Sequence, residues 1–394
     1  MRADNDATRL PVLDGLRGLA VLMVFGCHVK FTLDAQGKLL AEWGSLVERA
    51  FSAFAGPGWI GVELFFALSG FLITGILYDA KHRPHRFRNF YARRVLRIFP
   101  LYYGTLLLLL FVYPRLLPAS TDAARQVWDH QAWYWSYLVN FAIALPTVDT
   151  PYMTGHFWSL AVEEHFYLLW PPIILLLSRR RAIAGCLALM LLSPALRLAL
   201  TLHDATPWLT PHLTTIGRFN YCATPTRLDA IASGALAALL IRGPMGLGGC
   251  ARWARHTMPY AGGVIFCIMA LCRGHLSAHY PVTQVVGFSA LGVFFTSGIV
   301  LMLSSDESSL ARRLGESRVL RFLGRYSYAI YVFQLTPLTL LVPVLFPDGT
   351  LEMLGSHLLG LAVYALLGLG VTLVMALCSW HLMEKHFLRL KRWF

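Results

Sequence analysis

Residues 11–31, PVLDGLRGLAVLMVFGCHVKF, are apolar over a length that crosses a bilayer, yet they carry Asp14, Arg17 and His28. A transmembrane helix needs about 20 mostly apolar residues, and a segment that only anchors the chain has no use for three ionisable side chains. Arg17 and His28 are eleven positions apart; at 3.6 residues per turn they share one helix face, about 16 Å apart along it. Asp14 falls within about 60° of the same stripe. Charge in hydrocarbon is costly unless it is paired or faces a polar cavity. The stripe therefore predicts a helix that lines a site.

This stretch is the first of ten. Apolar runs recur near 58–78, 98–117, 157–178, 182–201, 225–242, 257–273, 283–303, 322–345 and 356–380 in a chain of 394 residues that is 56% hydrophobic and 14% charged. Its mean hydropathy is +0.56, too apolar for a soluble domain of this size. The expected fold is an all-α integral membrane protein, a bundle of about ten transmembrane helices forming a single membrane domain over residues 1–394.

The net charge of +13 is distributed as topology demands. Residues 81–97, KHRPHRFRNFYARRVLR, hold seven Lys and Arg and no acid, and further basic clusters occupy every second connection: 179–181, 242–255, 312–325 and the tail from Lys385. Cytoplasmic loops collect Lys and Arg, so both termini are expected inside. Topology and anionic lipid at the inner leaflet account for the basic balance, which removes the case for a nucleic-acid partner. Arg17 interrupts the first apolar run, and Asp4 and Asp6 precede it, so it is expected to stay as an anchor rather than be cleaved. The seven cysteines form no CxxC pair and stand at no zinc-like spacing to histidine. No metal and no permanently bound cofactor is expected.

Two segments lie outside the ten. Residues 39–54, LLAEWGSLVERAFSAF, place Leu39, Leu40, Trp43, Leu46, Val47, Phe51 and Phe54 at helical spacing, the pattern of an amphipathic helix on the outer surface. Residues 128–146 are aromatic and short, reading as an interfacial or re-entrant piece.

Following ten crossings gives each buried charge a depth. His28 falls in the outer third of the first span, and Arg17 near its inner end. Glu63 lies close to the outer surface, Glu163 and Glu164 lie about 10 Å below the outer end of the fourth span, and Arg227 and Asp229 open the sixth. His28, Glu63, Glu163, Glu164, Arg227 and Asp229 are expected at one level, as a polar chamber opening outward or as a salt-bridge network holding the bundle, with Arg227 and Asp229 the expected structural pair. A carboxylate orients an imidazole and stabilises its protonated form. His28 with Glu163 or Glu164 is thus the candidate base for deprotonating a hydroxyl. On the inner side Arg93, Arg94 and Arg97 open the third span, with Arg94 and Arg97 on one face; guanidinium forks suit the phosphates of a donor.

These segments, taken in order, resemble the acyltransferase-3 family of multi-span O-acyltransferases. LDGLRGLAVLMVFGCHV (13–29) is similar to its first-helix motif, GVELFFALSGFLIT (61–74) to the second and RRVLRIFPLYY (93–103) to its Arg-x-x-Arg motif. WSLAVEEHFYLLWP (158–171), RLDAIASGALAAL (227–239) and LGRYSYAIYVFQL (323–335) resemble later ones. The resemblance implies transfer of an acyl group, usually acetyl from acetyl-CoA as co-substrate, to a hydroxyl of an extracytoplasmic or lipid-linked carbohydrate, and a place in the cytoplasmic (inner) membrane of a bacterium. It implies His28 as the catalytic histidine with Arg17 its partner, Glu163 and Glu164 at the carboxylate end, and Arg94 and Arg97, with Arg93 beside them, for the donor. Glu63, Trp158, Arg227 and Asp229 are the expected acceptor contacts. Glu63 stands where the family commonly has Asp, and Gln334 where many members have His. With about fourteen residues after the last span, the membrane domain is expected to complete the reaction itself. The competing reading is a polytopic transporter of protons or a glycolipid, since buried His, Glu and Arg also form relays; the lack of an internal repeat counts against it.

Overall fold

Apolar chain in a bilayer must satisfy every backbone N–H and C=O internally, so it closes into helices. The computed structural model describes residues 10–35, 46–116, 121–148, 150–204, 207–209, 214–347 and 351–394. Among these the structure is helical, apart from turns and one isolated bridge between Met353 and Ser356. The longer helices are α1 (Pro11–Ala35), α2 (Gly61–Asp79), α3 (Arg86–Leu107), α4 (Phe157–Leu176), α5 (Arg179–Asp204), α6 (Leu228–Ile241), α7 (Gly246–Leu271), α8 (Phe288–Ser304), α9 (Arg318–Phe333), α10 (Leu335–Leu345) and α11 (His357–Ser379).

Every predicted apolar stretch falls on a helix, but the stretches are unequal. Six helices are long and apolar enough to cross a membrane: Pro11–Ala35, Arg49–Asp79, Arg86–Leu116, Arg179–Asp204, Thr283–Ser304 and His357–Trp393. The bent pair α9 and α10 makes a seventh. In α4 the adjacent Glu163 and Glu164 dilute the apolar run, α6 has only 14 residues, and Arg252, Arg255 and His256 interrupt α7. The chain is an integral membrane protein, and its all-helical class is as expected.

Two contacts fix the centre of the bundle. Where α2 crosses α6, a Cβ on Gly70 would stand 1.8 Å from the Ile231 carbonyl oxygen, and one on Gly234 2.0 Å from that of Ala67. Where α1 crosses α9, a Cβ on Gly324 would stand 1.7 Å from the Asp14 carbonyl oxygen. Small residues let backbones meet where lipid gives no hydrophobic drive for association. α9 and α10 are bent 63° from one another at Gln334. Pro337 has no N–H to give the Phe333 carbonyl, which releases the helix there, and the Gln334 side-chain amide donates to the Tyr331 carbonyl at 3.3 Å.

Residues 128–146 form no helix long enough to cross a membrane. They form the end of the helix Thr121–Asp129 and the short helices Gln131–Trp135 and Val139–Ala144, held against α3 where the Tyr102 and Tyr103 hydroxyls donate to the carbonyls of Tyr134 (2.9 Å) and Trp135 (3.0 Å). The helix Leu46–Ala55 covers the second half of the expected amphipathic segment, with Phe54 exposed and Ala55 buried. Leu39, Leu40, Trp43 and the side chains of Leu46 and Val47 lie outside the described residues.

Candidate active site

Glu63, Glu163, Glu164, Arg227 and Asp229, which the sequence had placed at one level, divide between two groups. One group is sealed. Glu63 and Arg227, each 1% exposed, form an ion pair, and the Arg227 guanidinium lies 3.8 Å from the centre of the Phe288 ring and 5.4 Å from that of Trp158. Asp229 is held instead by Arg197, whose two terminal nitrogens donate to its carboxylate oxygens at 3.2 and 2.6 Å. Ser289 bridges the two, accepting from Arg197 at 2.8 Å and donating to Asp229 at 2.5 Å. Two expectations are corrected. Arg227 and Asp229 are not each other's partner, and Glu63, Trp158, Arg227 and Asp229 are closed off inside the bundle rather than presented to an acceptor. The physical reason is desolvation, since a charge in hydrocarbon needs a counter-charge.

The other group faces open space. A cavity of about 90 Å³ lies between α1, α2, α3, α4 and α9, and Arg17, Arg94, Arg97, Glu163 and Glu164 line it together with Ser69, Tyr167 and Tyr331. The Ser69 hydroxyl donates to Glu163 Oε1 at 2.6 Å, and the Tyr167 hydroxyl donates to Glu163 Oε2 at 3.2 Å. Arg94 lies over the Tyr167 ring at 5.5 Å, and Arg17 reaches Asp14 at 3.5 Å. The glutamates therefore share a level with the arginines, not with His28. Long guanidinium side chains reach inward from the helix ends, and Glu163 and Glu164 are already a third of the way along α4.

A second cavity, about 600 Å³, opens at the other side of the same arginines. Arg83, Arg86, Arg93, Arg389, Lys391 and Arg392 surround it, with no acidic side chain among the described residues that line it. Arg93 Nε donates to the Phe394 backbone oxygen at 2.6 Å. Arg94 and Arg97 line both cavities, so the basic bowl and the buried glutamates share a wall of two guanidiniums.

His28 stands beyond this wall. Its expected carboxylate partner is absent: no hydrogen bond or ion pair joins it to Glu163 or Glu164 among the described residues, because the Ser69 and Tyr167 hydroxyls occupy Glu163. Its neighbour is instead a second histidine, His156, with ring centres 5.7 Å apart. His156 is 4% exposed and packs against Tyr331 at 5.2 Å. Its Nε2 lies 3.2 Å from the Val332 carbonyl. A carbonyl can only accept, so neutral His156 carries its hydrogen on Nε2 and keeps a bare lone pair on Nδ1. The His28 imidazole has the Gln334 side chain as its hydrogen-bonding neighbour, whereas Nδ1 of His156 is buried without a partner. An unmade hydrogen bond costs about 1–3 kcal/mol per buried group, so the bare Nδ1 of His156 marks a place suited to accept a hydrogen. From His156 the cavity is one layer away: the Ser159 and Tyr331 hydroxyls touch at 2.5 Å, and Tyr331 donates to the His156 carbonyl at 3.3 Å.

Sequence reasoning missed Arg197 and His156. Arg197 is the lone charge in the apolar run 182–202, which is itself a signal of a buried partner. His156 lies two residues before the WSLAVEEHFYLLWP segment and carried no pattern of its own.

The sequence model described as an acyltransferase domain matches residues 10–380, and the chain belongs to that family of acyltransferases. It is similar to a putative peptidoglycan O-acetyltransferase of Bacillus subtilis, 28% identical over 387 residues covering 95% of this chain and 54% of the relative. It is similar also to a peptidoglycan O-acetyltransferase of Listeria monocytogenes, 26% identical over 354 residues covering 85% and 50%. An O-acetyltransferase of Staphylococcus aureus is 31% identical over 183 residues, covering 43% and 26%. The chain spans about half the length of the curated relatives it matches most fully. No solved structure matches it significantly.

Proposed function

We propose that this chain is a membrane-bound O-acyltransferase, with acetyl as the group, that moves it from cytoplasmic acyl-CoA to a hydroxyl of an extracytoplasmic or lipid-linked carbohydrate. The observation that carries the reading is the shared wall: Arg94 and Arg97 belong both to an acid-free basic bowl and to a buried polar cavity. Such an arrangement suits a molecule with phosphates at one end and a thin reactive arm at the other, and guanidinium forks are the side chains best matched to phosphate. The relatives, peptidoglycan O-acetyltransferases by name, support acetyl as the group and a glycan of the peptidoglycan kind as the acceptor.

In this reading the chain forms one membrane domain of ten crossings with both ends in the cytoplasm of an inner membrane. The positive loops and the position of the bowl at the C-terminal end of α2 support that orientation. The donor's phosphates rest on Arg93, Arg94 and Arg97, and its acyl arm enters between Arg17 and Glu163. The acceptor hydroxyl oxygen attacks the thioester carbonyl, a C–O bond forms, the C–S bond breaks, and CoA leaves as its thiol. His28 takes the hydroxyl proton and passes it on to the departing CoA thiolate, and His156, with its bare Nδ1, stands where the carboxylate had been expected. Glu163 and Glu164 hold Arg17 and Arg94 at the inner end of the path.

The test is transfer of labelled acetyl from acetyl-CoA to added glycan by the full chain in vesicles, wild type against His28→Ala. Labelled glycan with wild type only supports the reading. Equal labelling excludes His28 as the base, and movement of substrate across the membrane without CoA release would favour a transporter.

A further inference from the structure

At the end of the bundle opposite the basic bowl lies a cavity of about 500 Å³ to which nothing above assigns a role. It sits where the chain enters α2, at Pro57 and Trp59, whereas the bowl sits beyond the exit of α2, at Ala80. Its wall on α1 is Lys30 and Phe31, about 20 Å along that helix from Arg17. Its size is that of a small-molecule site, about 300–1,000 Å³.

The lining has a definite chemistry. Phe31, Trp59, Tyr221 and Tyr280 supply ring faces, the surfaces on which the C–H faces of a pyranose pack. Trp59 is locked in place, its indole N–H donating to the Leu276 carbonyl at 3.0 Å, and Tyr221 packs on Trp158 at 4.7 Å. The sealed Glu63–Arg227 pair lies directly behind this wall, with Arg227 5.7 Å from the Tyr221 ring. Lys30 and Arg49 bring positive charge, and no acidic side chain lines the cavity among the described residues. Asp34 engages Lys30 at 2.5 Å from outside the lining, so Arg49 is the principal fork open to a ligand. Burial lowers the His279 imidazole from its ordinary value, leaving it an uncharged hydrogen-bonding group at neutral pH.

From this combination we infer that the cavity is the acceptor site and that the acceptor is a saccharide carrying a carboxylate, with its rings on the aromatic wall and its acid on Arg49 and Lys30. The inference rests on the transferase reading for the word acceptor, but the binding it claims does not. His28 is two positions before Lys30 on the same helix, and Cys27, one position earlier, donates to the Gly56 carbonyl beside this cavity at 3.8 Å. A saccharide held here presents its hydroxyls at the level of the two histidines.

The test is equilibrium binding by calorimetry to the full chain in detergent. The probes are the N-acetylglucosamine–N-acetylmuramic acid disaccharide and the same disaccharide with its lactyl carboxylate converted to the carboxamide. Wild type should bind the acid about ten-fold tighter than the amide, the strength of a charge-assisted contact, and Arg49→Gln should remove most of that preference while leaving amide binding unchanged. Arg49 is exposed, so its replacement does not endanger the fold, and Lys30→Gln gives a second reading of the same preference. Equal affinity for the two probes, no binding of either, or a preference that survives both substitutions overturns the inference. Discrimination without any acetyl transfer from acetyl-CoA would sustain the site and sink the transferase reading instead.

Discussion

Arg197 grips Asp229 with both terminal nitrogens in a part of the bundle that water does not reach. Asp229→Asn should therefore lower stability by about 3–5 kcal/mol, the usual result of leaving one buried charge alone, read as a fall in unfolding temperature in detergent. Replacing both partners together, as Arg197→Met with Asp229→Leu, should recover much of the loss. A double variant as unstable as the single one would show that Ser289 and the Thr226 carbonyl, not the pair, set the energy. At the two histidines the effect is on rate. His156→Asn keeps a polar group of similar size but removes the basic nitrogen, and transfer should drop about 10²-fold with unchanged unfolding temperature; an unchanged rate would remove His156 from the reaction. The sequence showed the residues of both clusters by type, apart from Arg197 and His156. It did not show their partners, because helical spacing fixes which residues share a face but not which helices are neighbours.

Helices were legible to the extent that apolarity alone defines them. All ten stretches are helical, yet α4, α6 and α7 are the ones that carry carboxylates, end early or hold basic residues, and these are the helices a purely apolar criterion leaves uncertain. The glycines at the crossings were not legible, since nothing in GVELFFALSGFLIT says that Gly70 meets the backbone of Ile231. At Gly234 a side chain would have to displace the Ala67 carbonyl, not a flexible neighbour. Gly234→Leu should accordingly prevent α2 and α6 from closing and yield aggregated protein on size-exclusion chromatography, whereas substitution at Gly263, where a Cβ would meet nothing within 4 Å, should be silent. The bend at Gln334 was likewise invisible as a bend, although Pro337 was in view. It brings the Gln334 side chain to the neighbourhood of His28, and so gives the departure from the family's usual histidine a structural setting.

For the whole molecule, orientation is the property that charge patterning predicts and side-chain geometry alone does not measure. On a background lacking the exposed Cys267 and Cys378, His82→Cys should react with an impermeant maleimide only when the reagent reaches the cytoplasmic side, and His275→Cys only from the other. Labelling of both from one side would overturn the alternation of basic loops. The donor end makes its own prediction. Arg94→Gln and Arg97→Gln should each raise KM for acetyl-CoA about ten-fold, the range of one charge-assisted phosphate contact, with the effect fading as salt rises.

The space between Arg94 and Tyr331 carries one more implication. At about 90 Å³, with each water needing roughly 10–15 Å³ measured the same way, it admits about six to nine solvent-sized atoms. Its walls are three guanidiniums, two carboxylates and the rings of Tyr167, Tyr328 and Tyr331, and the charged ones cannot retreat without losing their polar neighbours. If the acyl arm enters here, the protein behaves as a gauge of chain length: acetyl and propionyl thioesters fit beneath it, while an octanoyl thioester should neither react nor compete with them.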